Sequence, residues 1–529
     1  MKLNKIFNML SVAAVALFAT ACNDTDAQYS IPKVGAPEFV SITPSSEQAL
    51  VYGKKTITVK FDRNIGFATE NTSKITLNGT PVSKALVLGA SDELTITADV
   101  SFDKTQRLVI PAGLILGPQG DAYTSDIDVT FTIKDLPSNE AKAMTEKLGW
   151  GWNLGNHFDT SGDAISKGWG YWDGVGTLTD APFKALAAIG AKTVRIPATW
   201  TDHMAEGTNV IDAAYLDEVA ATVDLAIAAG LNVILNTHHD SFETNLGNAA
   251  KSEVVAKSDS TIIAEVWSQV AKRFADYGDK LIFETFNEVH AGDDWSTGAS
   301  EQFDLLNKWN QYAVDAIRKA GGNNSTRWIG VAGYAANIDL TINNLVLPED
   351  PANHIMVGVH CYDPYAFCTS PLDVDADTVV VNSWGHNADP GYDVDDSNED
   401  VILNQLYKLR TAYIEKGIPC YLGEFGCVYQ PTEKANAFRR YYLEFFCRAA
   451  NLAGIPVMIW DNNVKGAARA EAGEDGKNHL VEAFGYLDHA TGEWLNDSPV
   501  VVPVMIKATT STDSSYDFQS IWNTSPTAN

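Results

Sequence analysis

From about residue 148 onward, short apolar runs alternate with longer amphipathic stretches, and this alternation restricts the fold more than any other feature of the chain. Parallel strands must be joined by long crossovers, which α-helices usually supply. Eight such runs with helical stretches between them predict an α/β fold of the (β/α)8 TIM barrel type. The predicted strands are residues 149–154, 193–197, 232–236, 281–286, 328–331, 355–360, 419–423 and 456–460, and the clearest helices are 182–189, 213–229, 260–277 and 303–320.

Two glutamates stand directly after predicted strands of this barrel. Glu288 follows the fourth strand in Phe286-Asn287-Glu288, and Glu424 ends the seventh in Gly423-Glu424-Phe425. Barrels of this type build their active sites at the C-terminal ends of the strands. Two carboxyl groups can cleave a glycosidic bond, because one protonates the leaving oxygen while the other attacks the anomeric carbon or activates water. The sequence therefore predicts a glycoside hydrolase with Glu288 and Glu424 as its catalytic residues.

The other strand ends carry polar or aromatic side chains in a fixed order. They are Arg195 at the second strand, His238 at the third, Asn287 at the fourth, His360 and Tyr362 at the sixth and Trp460 at the eighth. Together with the two glutamates, this order resembles the family 5 glycoside hydrolases, which are retaining, cellulase-like barrels. Residues 151–156, Gly-Trp-Asn-Leu-Gly-Asn, are similar to that family's endoglucanases in particular. The resemblance covers residues from about 148 to 465 and implies a double-displacement reaction without a cofactor.

The chemistry of such a site predicts how the catalytic pair is supported. Glu288 would be the acid/base and must hold a proton at neutral pH, which partial desolvation of its carboxyl favours. Glu424 would be the nucleophile and must stay ionised. Arg195 is placed to keep it so, because a guanidinium presents donors to a carboxylate in a fixed geometry, and Tyr362 could donate its phenol to the same group. If the family mechanism carries over, the two carboxyl groups lie about 5–5.5 Å apart and the anomeric configuration is retained.

Four residues are predicted to bind substrate or to support the catalytic pair. Asn287 could bind the sugar 2-hydroxyl, a contact expected to strengthen in the transition state. His238 and His360 would hydrogen-bond sugar hydroxyls or hold the carboxylates in place. Trp460 would be a flat floor on which the C–H face of a pyranose ring stacks.

Several of these residues also have a purely structural interpretation. Arg195 could form an ion pair inside the barrel, Trp460 could belong to the core, and Glu284, which lies deeper, is interpreted as structural. His238 and His239 could suggest a metal site, but neighbouring residues on a strand point to opposite faces, so only one is expected to face the pocket. No third ligand follows at zinc-like spacing, and we predict no metal.

The favoured substrate is a β-1,4-glucan such as cellulose, cleaved by endo action. Xyloglucan, mixed-linkage glucan and β-mannan remain open as substrates, as do exo action and a non-catalytic glycan-binding lipoprotein. Residues 156–159, Asn-His-Phe-Asp, depart from the Asn-Thr-Leu-Asp common in the endoglucanases. The insertion at 363–400 is expected to form a lid or a cleft wall. Tryptophans in loops could line sugar subsites, namely Trp169, Trp172, Trp200, Trp295 and Trp384.

The N-terminal residues are predicted to be a targeting segment. Lys2 and Lys5 precede an apolar stretch that ends at residues 19–21, Ala-Thr-Ala, so residues 1–21 fit a signal peptide. Cys22 directly after it resembles the lipid-attachment site of bacterial lipoproteins. With lipid on Cys22 the protein would be an outer-membrane or cell-surface lipoprotein, and without it the protein would be secreted. Residues 22–36 would then be a linker or tether.

Residues 37–135 read as a separate all-β unit. About seven short runs with turns between them predict an Ig-like sandwich, and alternation is clearest in 57–61 and 94–97. The segment resembles the bacterial Ig-like domains of surface proteins on Ile42-Thr43-Pro44 and Thr58-Val59-Lys60-Phe61. It has no tryptophan, so a spacer is expected rather than a sugar-binding platform. The hydrolase domain is predicted over residues 140–505, and 506–529 are assigned to a C-terminal tail.

Charge and cysteine content limit the partners. The 38 basic and 67 acidic residues give a net charge of −29, which repels nucleic acid and anionic membranes but not a neutral polysaccharide. We therefore expect a monomer that acts on polysaccharide and meets the membrane only through its lipid anchor. Five cysteines remain besides Cys22, with no metal-binding spacing, and a disulfide between Cys361 and Cys368 is possible.

Overall fold

The computed structural model describes residues 32–46, 53–101, 105–131, 136–369, 381–389, 398–472, 478–513 and 515–527. These residues form two compact units. The first consists of the described residues within 1–50, 54–100 and 106–132, and the second of those within 51–53, 101–105 and 133–529. The predicted signal peptide and Cys22 lie outside the described residues, as do parts of the predicted insertion.

The first unit is built from short antiparallel strands, which confirms the all-β prediction for this region. They are β1 (Phe39–Thr43), β2 (Gly53–Phe61), β3 (Gly66–Phe67), β4 (Thr76–Leu77), β5 (Thr80–Pro81), β6 (Lys84–Leu86), β7 (Glu93–Val100), β8 (Gln106–Ile110), β9 (Ile115–Leu116) and β10 (Ile127–Phe131). Two four-stranded sheets have the orders β1-β2-β7-β6 and β10-β8-β4-β5, and β3 pairs with β9. In β7 every second residue from Leu94 to Val100 is buried, as the alternation predicts. The Ig type and the spacer role stay predictions.

The second unit is a closed barrel of eight parallel strands, so the predicted TIM barrel is confirmed. The strands are β11 (Trp150–Asn153), β12 (Thr193–Ile196), β13 (Asn232–Asn236), β14 (Leu281–Glu284), β15 (Ile329–Asn337), β16 (Ile355–Cys361), β17 (Cys420–Phe425) and β18 (Val457–Ile459). Each overlaps one predicted strand. A hairpin of β19 (Arg469–Ala472) and β20 (Asn478–Val481) follows the last barrel strand.

Helices connect and flank the barrel strands. They are α1 (Glu140–Leu148), α2 (Ala181–Ile189), α3 (Ala213–Ala228), α4 (Leu246–Ala249), α5 (Glu253–Arg273), α6 (Ser300–Lys319), α7 (Ile338–Asn344), α8 (Tyr365–Cys368), α9 (Glu399–Ala412), α10 (Glu433–Ala453), α11 (Ser498–Thr510) and α12 (Phe518–Trp522). The predicted helix 260–277 starts seven residues later than α5, whose first turns hold the polar residues 257–261 as well. The real start is Ser252, whose side chain caps the helix by accepting from the Val255 N–H.

The barrel interior is filled below the strand ends. One apolar cluster comprises Met144, Leu148, Ile234, Ile282, Met356, Tyr421 and Met458. The Tyr421 ring fits only because Gly330 and Gly358 face it, since a Cβ there would lie 2.2 and 2.8 Å from the Tyr421 hydroxyl oxygen. The barrel is therefore a packed core that supports polar side chains at its C-terminal end.

The boundary predicted before the C-terminal tail is wrong. Helix α11 runs across it to Thr510, and Met505 and Ala508 are buried in the core of the barrel unit. Further on, Ile521 in α12 is also buried. Apolar residues at helical spacing continue past residue 505, and the Ser/Thr-rich composition concealed them.

The five cysteines at 361, 368, 420, 427 and 447 are all buried with free thiols, so the possible disulfide between Cys361 and Cys368 is not formed. Burial raises the pKa of the Cys361 thiol, which keeps it protonated. Among the described residues, no helix combines the length and apolar character needed to cross a membrane.

Candidate active site

A cavity of about 690 Å³ opens at the C-terminal end of the barrel strands. Both predicted catalytic residues line it. So do the predicted supporting residues His238, Asn287, His360, Tyr362 and Trp460, whereas Arg195 is fully buried and does not line it. The chain thus brings together at one cavity predicted residues that lie up to 222 positions apart in sequence, between 238 and 460.

Arg195 joins two carboxylates. Its Nη1 donates to Glu424 Oε1 at 2.7 Å, and its Nη2 donates to Glu284 Oε1 at 2.7 Å. Burial opposes the charge of the guanidinium, but Glu284 and Glu424 outweigh it and raise the pKa of Arg195. Glu284 also accepts from Tyr421 Oη at 2.6 Å and from Asn236 Nδ2 at 2.9 Å. Glu284 is therefore structural, as predicted, and it fixes the arginine that binds Glu424.

The other oxygen of Glu424 is held by Tyr362. The Tyr362 hydroxyl donates to Glu424 Oε2 at 2.9 Å, the contact expected from the sequence. Gly423, just before it, allows β16 and β17 to approach closely, because a Cβ there would lie 2.9 Å from His360 Nε2. Both oxygens of Glu424 thus accept hydrogen bonds from donors outside its own strand, and these fix the orientation of the carboxylate.

Glu288 is oriented by His360. His360 Nδ1 lies 2.6 Å from Glu288 Oε1 and 3.8 Å from Glu424 Oε2. Burial opposes protonation of the imidazole, but the two glutamates outweigh it and raise the pKa of His360. One carboxylate oxygen of Glu288 and one of Glu424 lie within 4.8 Å of each other.

Asn287 is held by a residue that the sequence did not single out. Its Oδ1 accepts from Arg195 Nη2 at 2.8 Å, and its Nδ2 donates to Glu243 Oε1 at 3.0 Å. Glu243 also lies 2.9 Å from His239 Nδ1. Glu243 stands in a loop and follows no strand, so the strand-end criterion missed it. Its spacing of four residues from His239, as on one helical turn, was the available signal.

The expectation that only one of His238 and His239 faces the pocket is wrong, since both line the cavity. Strand β13 ends at Asn236, so the alternation of a strand no longer applies two residues later. Burial lowers the pKa of His238 well below its usual value. Asn236 Nδ2 donates to its Nδ1 at 3.1 Å, which leaves Nε2 as the protonated nitrogen, 4.0 Å from Glu424 Oε1.

Trp460 lies parallel to His238, with ring centroids 6.0 Å apart and an interplanar angle of 5°. Of the loop tryptophans, Trp295 lines the cavity and is exposed, and Trp172 is exposed beside His239. Trp200 and Trp384 are buried in the core instead. Trp169 packs partly buried against the same core. Sequence cannot separate these cases, because a large aromatic in a loop serves packing as readily as binding.

The position of Trp460 is set by the residue after it. Asp461 Oδ2 accepts from Trp152 Nε1 at 2.7 Å and from the backbone N–H groups of Tyr486 and Leu487 at 3.0 and 2.9 Å. This buried carboxylate fixes the loop that begins at Trp460 to the first barrel strand.

Two buried histidines extend this network. His489 Nδ1 and His157 Nδ1 each lie 2.9 Å from Asp173 Oδ2, and His489 Nε2 lies 3.4 Å from Asp461 Oδ1. Burial opposes the charge on His489, but hydrogen bonds to Asp173 and Asp461 outweigh it and raise the pKa of His489 to about 9. His157 belongs to residues 156–159, which depart from the Asn-Thr-Leu-Asp common in the endoglucanases that the chain resembles.

This network makes stability depend on pH. The pKa of a histidine in the unfolded chain is ~6.5. The stabilisation from charged His489 is therefore complete below that pH and is lost as the pH rises through about 9. The difference is worth on the order of 3 kcal/mol. We expect His489→Gln to lower the melting temperature at pH 6, measured by calorimetry. Between pH 6.5 and 9 the melting temperature of this variant should fall less steeply than that of the wild type.

His203→Gln is the control. Burial lowers the pKa of His203 to about 4, so this residue is neutral in both states above pH 7. Its replacement should leave the slope of melting temperature between pH 7 and 9 unchanged. An unaltered slope in His489→Gln would contradict a charged His489.

A TIM barrel with two glutamates at the ends of its fourth and seventh strands, held by arginine, tyrosine and histidine side chains, defines a glycoside hydrolase. The comparisons with known proteins specify the family. Residues 155–466 match the model for cellulase (glycosyl hydrolase family 5), and the chain belongs to that family.

The chain is 34% identical over 367 residues to Endoglucanase A of Clostridium longisporum, and the match covers 67% of this chain and 63% of that protein. Among solved structures, it is similar to a native Bacteroidetes-affiliated GH5 cellulase linked with a polysaccharide utilization locus, with 38% identity, a TM-score of 0.65 and coverage of 74% of this chain and 98% of that one. A GH5-4 broad specificity endoglucanase from Bacteroides salanitronis shows 39% identity, a TM-score of 0.63 and coverage of 72% and 97%. The protein is a glycoside hydrolase of the cellulase type.

Proposed function

We propose that the protein is a retaining endo-β-1,4-glucanase in which Glu424 is the nucleophile and Glu288 the acid/base. The observation that carries this proposal is the closeness of the two carboxylates, whose oxygens lie within 4.8 Å. Inverting enzymes keep their carboxyl groups about 6.5–9.5 Å apart to admit a water molecule, whereas retaining enzymes need about 5–5.5 Å. The endoglucanase names of the relatives support internal cleavage of a β-glucan.

In the first step, a Glu424 oxygen attacks the anomeric carbon while Glu288 gives its proton to the glycosidic oxygen. The carbon–oxygen bond to the leaving sugar breaks as the bond to Glu424 forms. His360 occupies Glu288 Oε1, which leaves Oε2 as the oxygen that carries the proton. Arg195 and Tyr362 hold Glu424 oriented for attack.

In the second step, Glu288 removes a proton from water, and the water oxygen attacks the anomeric carbon and releases Glu424. Two inversions leave the β-configuration of the product unchanged. Asn287 is fixed by Arg195 and Glu243, and its second Nδ2 hydrogen is left for the sugar 2-hydroxyl. Trp460 supplies the face on which that sugar stacks.

The test of this function is release of reducing ends, with product sizing, on carboxymethyl-cellulose, mixed-linkage glucan, xyloglucan, glucomannan, galactomannan and xylan. A spread of oligosaccharides from the glucans supports endo-β-1,4-glucanase action. Single sugars or disaccharides alone would indicate exo action, and no release from any of the six by folded protein would refute the proposal.

We further propose that lipid on Cys22 anchors the enzyme outside the cytoplasm. The support is the signal-like residues 1–21 followed directly by Cys22. Cys22→Ala should move the protein from the membrane fraction of its native cells to the soluble fraction, detected by immunoblotting, while Asn23→Ala stays in the membrane fraction. Wild-type protein found already soluble would refute the anchor.

A further inference from the structure

Glu482 lines the cavity but takes no part in the steps described above. It follows directly after β20, and Asn462 holds its backbone in place. The Glu482 carbonyl accepts from Asn462 Nδ2 at 2.9 Å, and the Phe484 N–H donates to Asn462 Oδ1 at 3.2 Å. Since Asn462 stands two residues after Trp460, Glu482 is tied to the end of the last barrel strand.

The Glu482 side chain is partly buried at the cavity wall, and its carboxyl has no compensating contact among the described residues. Burial alone raises its pKa to about 7, and within the described ranges no hydrogen bond or ion pair to its side chain offsets that cost. A polar group buried without a partner is unfavourable, and a carboxyl in this condition at a cavity wall is typical of a ligand-binding position.

The neighbours of Glu482 place it on the side of the nucleophile. Its charge is one of those that, with burial, raise the pKa of Tyr362, and the Tyr362 hydroxyl donates to Glu424. Phe484 packs edge-on against Tyr362 at 5.8 Å, and Trp460 belongs to the same apolar cluster. This is the side on which Glu424 attacks, so it faces the sugar that becomes bonded to the enzyme.

We propose that Glu482 binds hydroxyl groups of the glucosyl unit that stacks on Trp460, and that it thereby selects a neutral sugar at this position. The inference rests on the proposed glucanase function. A carboxylate can accept from two sugar hydroxyls at once, and these contacts replace the water lost on burial. An anionic substituent on the same sugar would be repelled.

Glu482→Gln tests the proposal because it keeps the size of the side chain and removes its charge. We expect kcat/KM on neutral mixed-linkage glucan to fall at least about tenfold, as for loss of a charged hydrogen bond. On carboxymethyl-cellulose the fall should be smaller, because the repulsion is removed as well. Glu471→Gln is the matched control, since Glu471 is exposed on β19 and does not line the cavity. Its kcat/KM should stay within about twofold of wild type.

Two results would overturn the inference. One is a Glu482→Gln enzyme within twofold of wild type on both substrates. The other is an equal loss on both substrates accompanied by a lower melting temperature, which would assign Glu482 a structural role. Calorimetric titration with cellotetraose in a Glu288→Gln background separates this inference from the proposed function. If the wild-type enzyme cleaves no glucan, the proposed function fails. The contact is judged by binding alone: weaker cellotetraose binding after Glu482→Gln is added would support it, and unchanged binding would refute it.

Discussion

Glu424→Ala should lower kcat on mixed-linkage glucan by at least about 10⁴-fold, because no other group can form the bond to the anomeric carbon. The loss should not come from misfolding. Arg195 keeps its ion pair with Glu284, so the buried guanidinium still has a counter-charge. Circular dichroism and melting temperature check this, and Glu433→Ala, an exposed glutamate at the start of α10, should remain fully active.

Azide turns this variant into a test of the mechanism. The small anion can occupy the space left by the carboxylate and attack the anomeric carbon of a dinitrophenyl β-cellobioside. The product should be the α-glycosyl azide, because only one inversion takes place. A β-glycosyl azide, or activity that survives in Glu424→Ala without azide, would remove Glu424 from the nucleophile's role.

Glu288→Ala should lower kcat on glucan by about 10²–10⁴-fold, the usual contribution of a general acid/base. The size of the loss should depend on the leaving group. A dinitrophenolate departs without protonation, so formation of the glycosyl-enzyme from dinitrophenyl cellobioside should stay close to the wild-type rate, measured as a burst of released phenol. Without the base, the following hydrolysis becomes the slow step.

Azide gives the opposite stereochemistry in this variant. It attacks the glycosyl-enzyme in place of water and needs no general base, so the product should be the β-glycosyl azide. Equal losses on glucan and on the dinitrophenyl substrate would contradict the acid role of Glu288. The two variants together assign each glutamate to one face of the sugar.

The barrel and its catalytic pair could be predicted because both depend on local sequence. Strands buried on both faces read as short apolar runs, and the side chains at their C-terminal ends meet at one end of a barrel wherever they occur in the chain. Glu288, Glu424, Arg195 and Tyr362 could therefore be placed from the strand ends together with the resemblance to the family 5 glycoside hydrolases. The contacts from Arg195 and Tyr362 to Glu424 followed from the chemistry of an ionised nucleophile.

What sequence could not supply was three-dimensional proximity between loops. Glu243 reaches Asn287 from a loop that follows the third strand, and Glu482 reaches the cavity after the β19–β20 hairpin. Neither position follows a barrel strand directly. Only one of His238 and His239 was expected in the pocket, by a rule that holds for strands, but the strand had already ended at Asn236. The end of the barrel unit was also missed, because residues 509–515, between the bodies of its last two helices, are rich in Ser and Thr.

The most direct test of the mechanism is trapping of the glycosyl-enzyme. Dinitrophenyl 2-deoxy-2-fluoro-β-cellobioside should inactivate the enzyme. Its fluorine slows both formation and hydrolysis of the glycosyl-enzyme, but the activated leaving group speeds formation, so the intermediate accumulates. Mass spectrometry of the digested protein should then find one fluorocellobiosyl group, on the peptide that contains Glu424 and on that residue. A label on Glu288 or Glu284, or cleavage of glucan by an enzyme that takes up no label, would contradict double displacement through Glu424.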